Sequence, residues 1–142
     1  MEAKKEAIEE RIRAANLKAT KSRTDVLQLF YTSKHALSYS EIDVCLLGRE
    51  DKATIYRTLK SFSEKGIIHE VFDGDKTTKY ALCRSGCSAT QHHDYHAHFK
   101  CTACNNAYCL DKPVIEINVP QGYISKTFNL VIEGTCVSCS IS

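Results

Sequence analysis

Four cysteines in two Cys-x-x-Cys pairs are the strongest chemical signal in this 142-residue chain. The pairs are Cys101/Cys104 and Cys136/Cys139, with 31 residues between them. Each pair can turn two thiolates toward one ion, and two pairs complete the tetrahedral coordination of structural zinc. We therefore expect a zinc ion that the surrounding small domain needs in order to fold. Four buried thiols without metal and a rubredoxin-like iron site are the alternatives.

A redox role for these cysteines is not expected. A thioredoxin-like site needs a Cys-x-x-Cys pair that opens a helix after a strand. The sequence predicts this arrangement for neither pair.

A His-x-His pair, His96 and His98, stands directly before the first cysteine pair. If residues 95–100 form a strand, both imidazoles lie on one face and Cys101 lies on the other. The histidine pair and the cysteine pair should therefore serve different ions. A surface position without metal is the alternative for the histidines. Neighbouring residues that could also act as ligands are Cys87, His92, His93 and Asp94.

Cysteine and histidine are unevenly distributed, which predicts a boundary near residue 84. Seven of the eight cysteines and four of the six histidines follow residue 82. Residues 1–84 hold 16 Lys and Arg against 13 Asp and Glu, whereas the later residues hold 3 against 4. The first part is therefore the better partner for a polyanion. The sequence contains neither a secretory signal pattern nor a membrane-length apolar run, so we expect a cytoplasmic protein without a membrane partner.

The first part of the chain has the pattern of a winged helix. Apolar residues at helical spacing predict helices near residues 3–15 and 22–33, and a capping box predicts a third from Ser38. A fourth predicted helix, near residues 51–66, precedes two β-like runs around the turn at Asp73. In a winged helix, the last helix before the hairpin enters the DNA major groove.

This fourth helix has an outer face suited to DNA, because it lacks carboxylates until Glu64. Arginine pairs with guanine, tyrosine packs on thymine methyl groups, and lysine contacts phosphate. Ordinary solvated side chains are the alternative. The predicted DNA-binding residues, two of them from the basic stretch before the second helix, are Lys18, Arg23, Thr54, Tyr56, Arg57 and Lys60.

The second part of the chain is predicted to be mainly β, which gives an α+β fold overall. Alternating segments such as "YHAHFK" and "NAYCL" predict its strands, and residues 85–95 have the composition of a hinge. Two remaining cysteines, Cys45 and Cys109, are predicted to be buried structural residues.

The segments "ATIYRTLKSFSEKGII" and "HAHFKCTAC" together resemble the ferric uptake regulator family over roughly residues 17–139. The resemblance implies a homodimeric, metal-dependent transcriptional repressor and not an enzyme. Residues 1–84 would form the winged-helix domain that binds a palindromic operator. Residues 96–142 would form the dimerisation and metal-binding domain.

Within this family, the sequence is most similar to the zinc sensors. Iron sensors carry a carboxylate where this chain has Ala81, whereas zinc sensors carry a cysteine at the position of Cys83. The resemblance thus implies a regulatory zinc site, with Glu70 as an alternative ligand, formed by His69, Cys83, His96 and His98. A thiolate with imidazoles suits Zn²⁺ better than Fe²⁺ or Mn²⁺.

The expected function is repression of metal-uptake genes in response to zinc. An iron or peroxide sensor of the same family, a zinc buffer and a zinc-binding interaction module are the alternatives. A deaminase is disfavoured because its H-x-E…P-C-x-x-C pattern is absent from the sequence.

Overall fold

The computed structural model describes residues 2–83, 97–110, 118–126 and 130–141. In these ranges, no helix is long and apolar enough to cross a bilayer. The helices are α1 (Glu2–Ala14), α2 (Lys21–Thr32), α3 (Tyr39–Cys45), α4 (Lys52–Glu64) and α5 (Val137–Ser140). The strands are β1 (Leu37–Ser38), β2 (Ile68–Val71), β3 (Lys79–Leu82), β4 (His98–Cys101), β5 (Ala107–Cys109) and β6 (Val131–Gly134). Four helices and a hairpin followed by a second sheet confirm the predicted α+β fold.

Local capping interactions set the helices that position the functional residues. Ser38 Oγ accepts the backbone N–H of Glu41 at 3.3 Å and begins α3, which confirms the N-terminus predicted from the capping box. Asp51 Oδ1 accepts the N–H of Thr54 at 3.1 Å and begins α4. At the end of α4, Gly66 takes φ +73°, a conformation that glycine adopts readily. The chain therefore passes directly from α4 into β2.

The main core lies between the helices and one face of the first sheet. On α4, Ile55, Leu59 and Phe62 recur at helical spacing and are almost fully buried. They pack with apolar residues of α1, α2 and α3, while Tyr80 and Leu82 cover the core from β3. The first part of the chain thus has its own hydrophobic core.

Cys45 is exposed, so its predicted core position is wrong. The inward residues near this end of α3 are Ile42 and Leu46, which are both buried. Cys45 is the last residue of α3 and lies beside exposed Val44, on the solvent side.

The first sheet has strand order β1-β3-β2 and is antiparallel. On the face opposite the helices, His69 on β2 pairs with Ala81 on β3. Val71 lies on the same face and packs with Ala36 and Ala107, which belongs to β5. The first sheet therefore contacts the second through a small apolar cluster.

The second sheet has strand order β5-β4-β6, with β4 antiparallel to β5 and parallel to β6. A Cβ atom on Gly134 would lie 3.1 Å from Phe99 Cζ, a tight contact that would require the Phe99 ring to shift by a few tenths of an ångström. Because β4 and β6 are parallel, Cys101 and Gly134 pair at the same edge of the sheet. Both Cys-x-x-Cys pairs begin at that edge.

Candidate metal centres and DNA-binding face

The cysteine cluster consists of Cys101, Cys104, Cys136 and Cys139, whose four Sγ atoms all lie within 4.8 Å of one another. The Sγ atoms of Cys104 and Cys136 are 3.9 Å apart. A disulfide requires about 2.05 Å. Four Zn–S bonds of about 2.3 Å in a tetrahedron place the sulfur atoms about 3.8 Å apart. The arrangement of the cluster therefore fits a zinc ion.

Hydrogen bonds inside the cysteine cluster shift the pKa values of its thiols. The backbone N–H groups of Cys104 and Cys136 both donate to Cys101 Sγ at 3.4 Å, and they lower the pKa of this thiol to about 6. By contrast, hydrogen bonds with neighbouring thiols, first with Cys136, raise the pKa of Cys139 to about 12. Four adjacent thiolates repel one another, so a divalent cation is needed to ionise the whole set.

One expectation about these cysteines is wrong. Cys136 follows β6 and is the N-cap of the one-turn helix α5, so this Cys-x-x-Cys pair does open a helix after a strand. The one-turn helix was missed because four residues give too little periodicity to detect. A two-cysteine redox site is still disfavoured, because the second pair completes a four-sulfur set.

The bridging cluster consists of His69, His98 and Cys109, whose ligand atoms also lie within 4.8 Å of one another. Cys109 Sγ is 3.5 Å from His69 Nε2, and the two imidazole centroids are 5.8 Å apart. Both histidines are buried. His69 belongs to β2, whereas His98 and Cys109 belong to β4 and β5, so an ion held here would connect the two sheets.

Cys109 was predicted to be a buried structural residue, yet it is half-buried and forms part of the bridging cluster. The pairing register of β4 and β5 places Cys109 in this cluster, because Cys109 is the cross-strand partner of His98. The knuckle at Cys101 and Cys104 forms the turn between β4 and β5. Counting outward from that turn pairs residue 98 with residue 109, so recognition of the hairpin would have revealed this residue.

Cys83 contacts the same histidine from the other side of its ring. Its Sγ atom is 3.5 Å from His69 Nδ1, while Cys109 lies at Nε2. Glu70, the alternative ligand, is exposed, and strand alternation turns it away from His69. The other predicted ligands lie outside the described residues; they are Cys87, His92, His93, Asp94 and His96.

A buried ionic cluster joins the two sheets beside the bridging cluster. Asp73 Oδ2 accepts hydrogen bonds from Lys79 Nζ at 2.8 Å and from Lys100 Nζ at 2.9 Å. Asp75 contacts Lys100 as well, and Lys79 donates to the carbonyl of Asn105 at 2.7 Å. The side chains of Asp73 and Lys100 are only 1% and 6% exposed. Burial opposes ionisation of Asp73, but its two lysine partners hold its pKa down at about 2.

The predicted DNA-binding face of α4 is exposed. Tyr56, Arg57 and Lys60 all point to solvent, opposite the buried stripe of this helix. Thr54 is half-buried, and its hydroxyl accepts a 3.4 Å hydrogen bond from Arg57.

Of the two basic residues predicted before α2, Lys18 is exposed, whereas Arg23 donates to the Lys18 carbonyl at 2.8 Å. Arg23 thus also stabilises the loop between α1 and α2.

A winged-helix arrangement with two metal-ligand clusters is that of a metal-responsive transcription regulator. The chain belongs to the ferric uptake regulator family, whose model matches residues 14–133. Members of this family are transcription regulators and not enzymes, so the predicted resemblance and the predicted lack of enzymatic activity are both confirmed.

The similar proteins include regulators associated with different metals. The ferric uptake regulation protein of Bordetella parapertussis is 29% identical over 134 residues, which cover 87% of this chain and 89% of the relative. The Francisella tularensis ferric uptake regulator with iron has a TM-score of 0.58 and 23% identity, covering 87% and 95% of the two chains. A zinc uptake regulator complexed with zinc and DNA has a TM-score of 0.66 and 19% identity, covering 99% and 95%. These structures support the fold, and the choice of metal depends on the ligands of this chain.

Proposed function

We propose that this protein is a cytoplasmic zinc sensor. With zinc bound, it binds a palindromic operator as a homodimer and represses metal-uptake genes. The single observation that carries the proposal is the bridging cluster, in which two imidazoles and a thiol from two sheets converge. The cysteine cluster holds a second, structural zinc ion.

The ligand types of the bridging cluster favour zinc over iron. A thiolate with two imidazoles suits a borderline-soft ion, whereas Fe²⁺ and Mn²⁺ sites favour carboxylates with imidazoles. Ala81, which lies opposite His69, offers no carboxylate, and Glu70 points away from the cluster. The ligands that this chain supplies therefore set it apart from an iron sensor.

The two thiols have different roles in the proposed site. His69 Nε2, His98 and Cys109 would hold the zinc ion, while His69 Nδ1 would keep its proton and donate to Cys83. Such an outer hydrogen bond fixes the imidazole and raises its basicity toward the metal. Cys83 then orients a ligand instead of binding zinc. His96 remains the predicted fourth ligand.

The residues that would hold zinc here connect α4 to the second sheet, so bound zinc would restrict the orientation of α4. The proposed DNA-binding helix α4 is followed by Gly66 and then by β2, which carries His69. His98 lies on β4 in the second sheet. A metal bond between β2 and β4 therefore restricts how the DNA-binding face moves relative to residues 96–142. A coupling free energy of about 1–3 kcal/mol gives a 5–150-fold change in DNA affinity.

Residues 96–142 form the proposed dimerisation domain. Several large apolar side chains in this part are exposed in the single chain, including Ile124 at 89% and Val137 at 80%. In the proposed homodimer, the partner chain would cover such side chains. Two α4 helices held by a symmetric dimer match the two half-sites of a palindrome.

The test is a metal titration of DNA binding. We expect one zinc per chain to resist mild chelation and one to exchange, and only the exchangeable zinc should raise affinity for operator DNA in fluorescence anisotropy. Cys109→Ser should lower the affinity for the exchangeable zinc at least about tenfold, because it removes a ligand. Cys45→Ser, at an exposed cysteine outside both clusters, is the matched control. An equal response to Fe²⁺ at sub-micromolar concentration would show that zinc is not the sensed metal.

A further inference from the structure

Two tyrosines stack on the surface where α3 meets α4. Tyr39 is the first residue of α3 and Tyr56 lies on the second turn of α4. Their ring centroids are 4.5 Å apart and the ring planes differ by only 2°. This distance is at the short end of the range for stacked aromatic pairs, so the contact is close.

The stack is fixed from several directions. The N-caps Ser38 and Asp51 hold the first turns of α3 and α4, which carry Tyr39 and Lys52. Lys52 Nζ lies 6.0 Å from the Tyr39 centroid and 5.9 Å from the Tyr56 centroid, within reach of a cation–π interaction with both rings. The orientation of the Tyr56 ring is therefore set before any partner binds.

We propose that Tyr39 is a positioning residue that holds Tyr56 for contact with a thymine methyl group in the DNA major groove. This inference rests on the proposed DNA-binding role of α4. Tyr56 is 46% exposed, and Tyr39 stacks on one face of its ring, so part of the Tyr56 side chain remains accessible to a base. A thymine presents its C5-methyl group in the major groove for such an apolar contact.

Holding the ring in advance improves selective binding. A side chain that is already ordered loses less conformational entropy when a base docks against it. Lys52, on the same exposed face of α4, supplies a charge that attracts phosphate whatever the base sequence. Tyr39 should therefore affect discrimination between DNA sequences more than it affects general attraction to DNA.

The experiment uses the zinc-loaded full chain and a duplex that it selects from a random DNA library. Binding is measured to this duplex, to the same duplex with single thymines replaced by uracil, and to an unrelated duplex. Uracil lacks only the methyl group, so the replacement isolates the contact of Tyr56. The variants are Tyr39→Ala and Tyr39→Phe, with Tyr31→Ala as a control at an exposed tyrosine on α2, outside the stack.

We expect Tyr39→Ala to weaken binding to the selected duplex about 2- to 10-fold, in line with the strength of an aromatic pair. It should also abolish most of the penalty that uracil imposes at one thymine of each half-site. Tyr39→Phe and Tyr31→Ala should bind like the wild type, because the first keeps the stacked ring and the second lies outside the stack.

Several results would overturn the inference. Tyr39→Ala could keep the full affinity and the full uracil penalty, or it could weaken every duplex equally together with a lower thermal midpoint, which would indicate a purely structural role. A Tyr39→Phe variant as impaired as Tyr39→Ala would place the effect in the hydroxyl group. Failure of the wild type to select any duplex with zinc would instead refute the proposed function, and this inference with it.

Discussion

The cysteine cluster and the bridging cluster differ in where their ligands come from. All four cysteines lie at or just after the C-terminal ends of the parallel strands β4 and β6, which belong to one sheet. The bridging cluster takes His69 from the first sheet and His98 from the second. A metal in the cysteine cluster fastens a single sheet, whereas a metal in the bridging cluster changes how two parts of the chain are held. In our proposal, the origin of the ligands therefore separates a structural role from a regulatory one.

The two clusters also differ in chemistry. Four thiolates would surround an ion completely and hold zinc tightly, as closed structural sites do. Two imidazoles and one thiol provide weaker binding and leave room for exchange with the metal pool of the cell. Substitutions in each of the two clusters, and in the ionic cluster between the sheets, can test this contrast.

Substitution in the cysteine cluster should have the largest effect. Cys101→Ser removes the sulfur that accepts two backbone hydrogen bonds, and it should abolish the chelator-resistant zinc. Because structural zinc contributes on the order of 10 kcal/mol to folding of small domains, we expect the second sheet to unfold. Elemental analysis and circular dichroism measure both effects. A variant that still holds one resistant zinc per chain would contradict the structural assignment.

Substitution in the ionic cluster should have an intermediate effect. Asp73→Asn removes the buried carboxylate that Lys79 and Lys100 share and leaves them only the more exposed Asp75. We therefore expect a loss smaller than the roughly 3–5 kcal/mol that follows when a buried charge loses its only partner. Urea unfolding measures this change. We also expect weaker zinc binding at the bridging cluster, because the two sheets are held together less firmly, while the resistant zinc stays in place.

The pH dependence of this effect follows from the lowered pKa of Asp73, which is about 2 in the folded protein. A lowered carboxyl pKa stabilises the fold above the unfolded-state pKa of about 3.9. The difference between the wild type and Asp73→Asn should therefore be constant from neutral pH down to about 5. It should shrink only as the pH falls from about 4 toward 2. A difference that disappears near neutral pH would rule out the carboxylate as its source.

Cys83→Ser should have the smallest effect of the three. If Cys83 orients His69 through Nδ1, its loss should weaken the exchangeable zinc by about tenfold, at the lower end for outer-shell partners. Isothermal titration with Zn²⁺ compares it with Cys109→Ser, which should be the more severe. The opposite order would make Cys83 the ligand, as the family resemblance implies, and Cys109 the accessory thiol.

Local patterns in the sequence predict much of this molecule. The N-cap at Ser38 and the four-cysteine set depend on residues a few positions apart or on a repeated motif. The His69–Cys83 contact spans 14 residues, and it was predicted only through the resemblance to zinc sensors.

Features that depend on strand register or on contacts between the two sheets could not be predicted in the same way. Cys109 joins the bridging cluster only because β4 and β5 pair in one register. Two further contacts form only when separate elements of the fold meet. They are the ion pair between Asp73 and Lys100 and the stacking of Tyr39 on Tyr56. A pattern within one segment carries no information about such encounters.

Strand β4 has one further consequence, which concerns the order of events after synthesis. His98 and Cys101 lie on this one short strand, and its partner β6 comes from more than 30 residues further along the chain. Pairing between such distant segments is slow, because a long loop must close before the contacts form. In our proposal zinc in the cysteine cluster stabilises that pairing, so we expect it to bind before the bridging cluster is complete. On this proposal, a newly made chain acquires one zinc ion before it responds to a second.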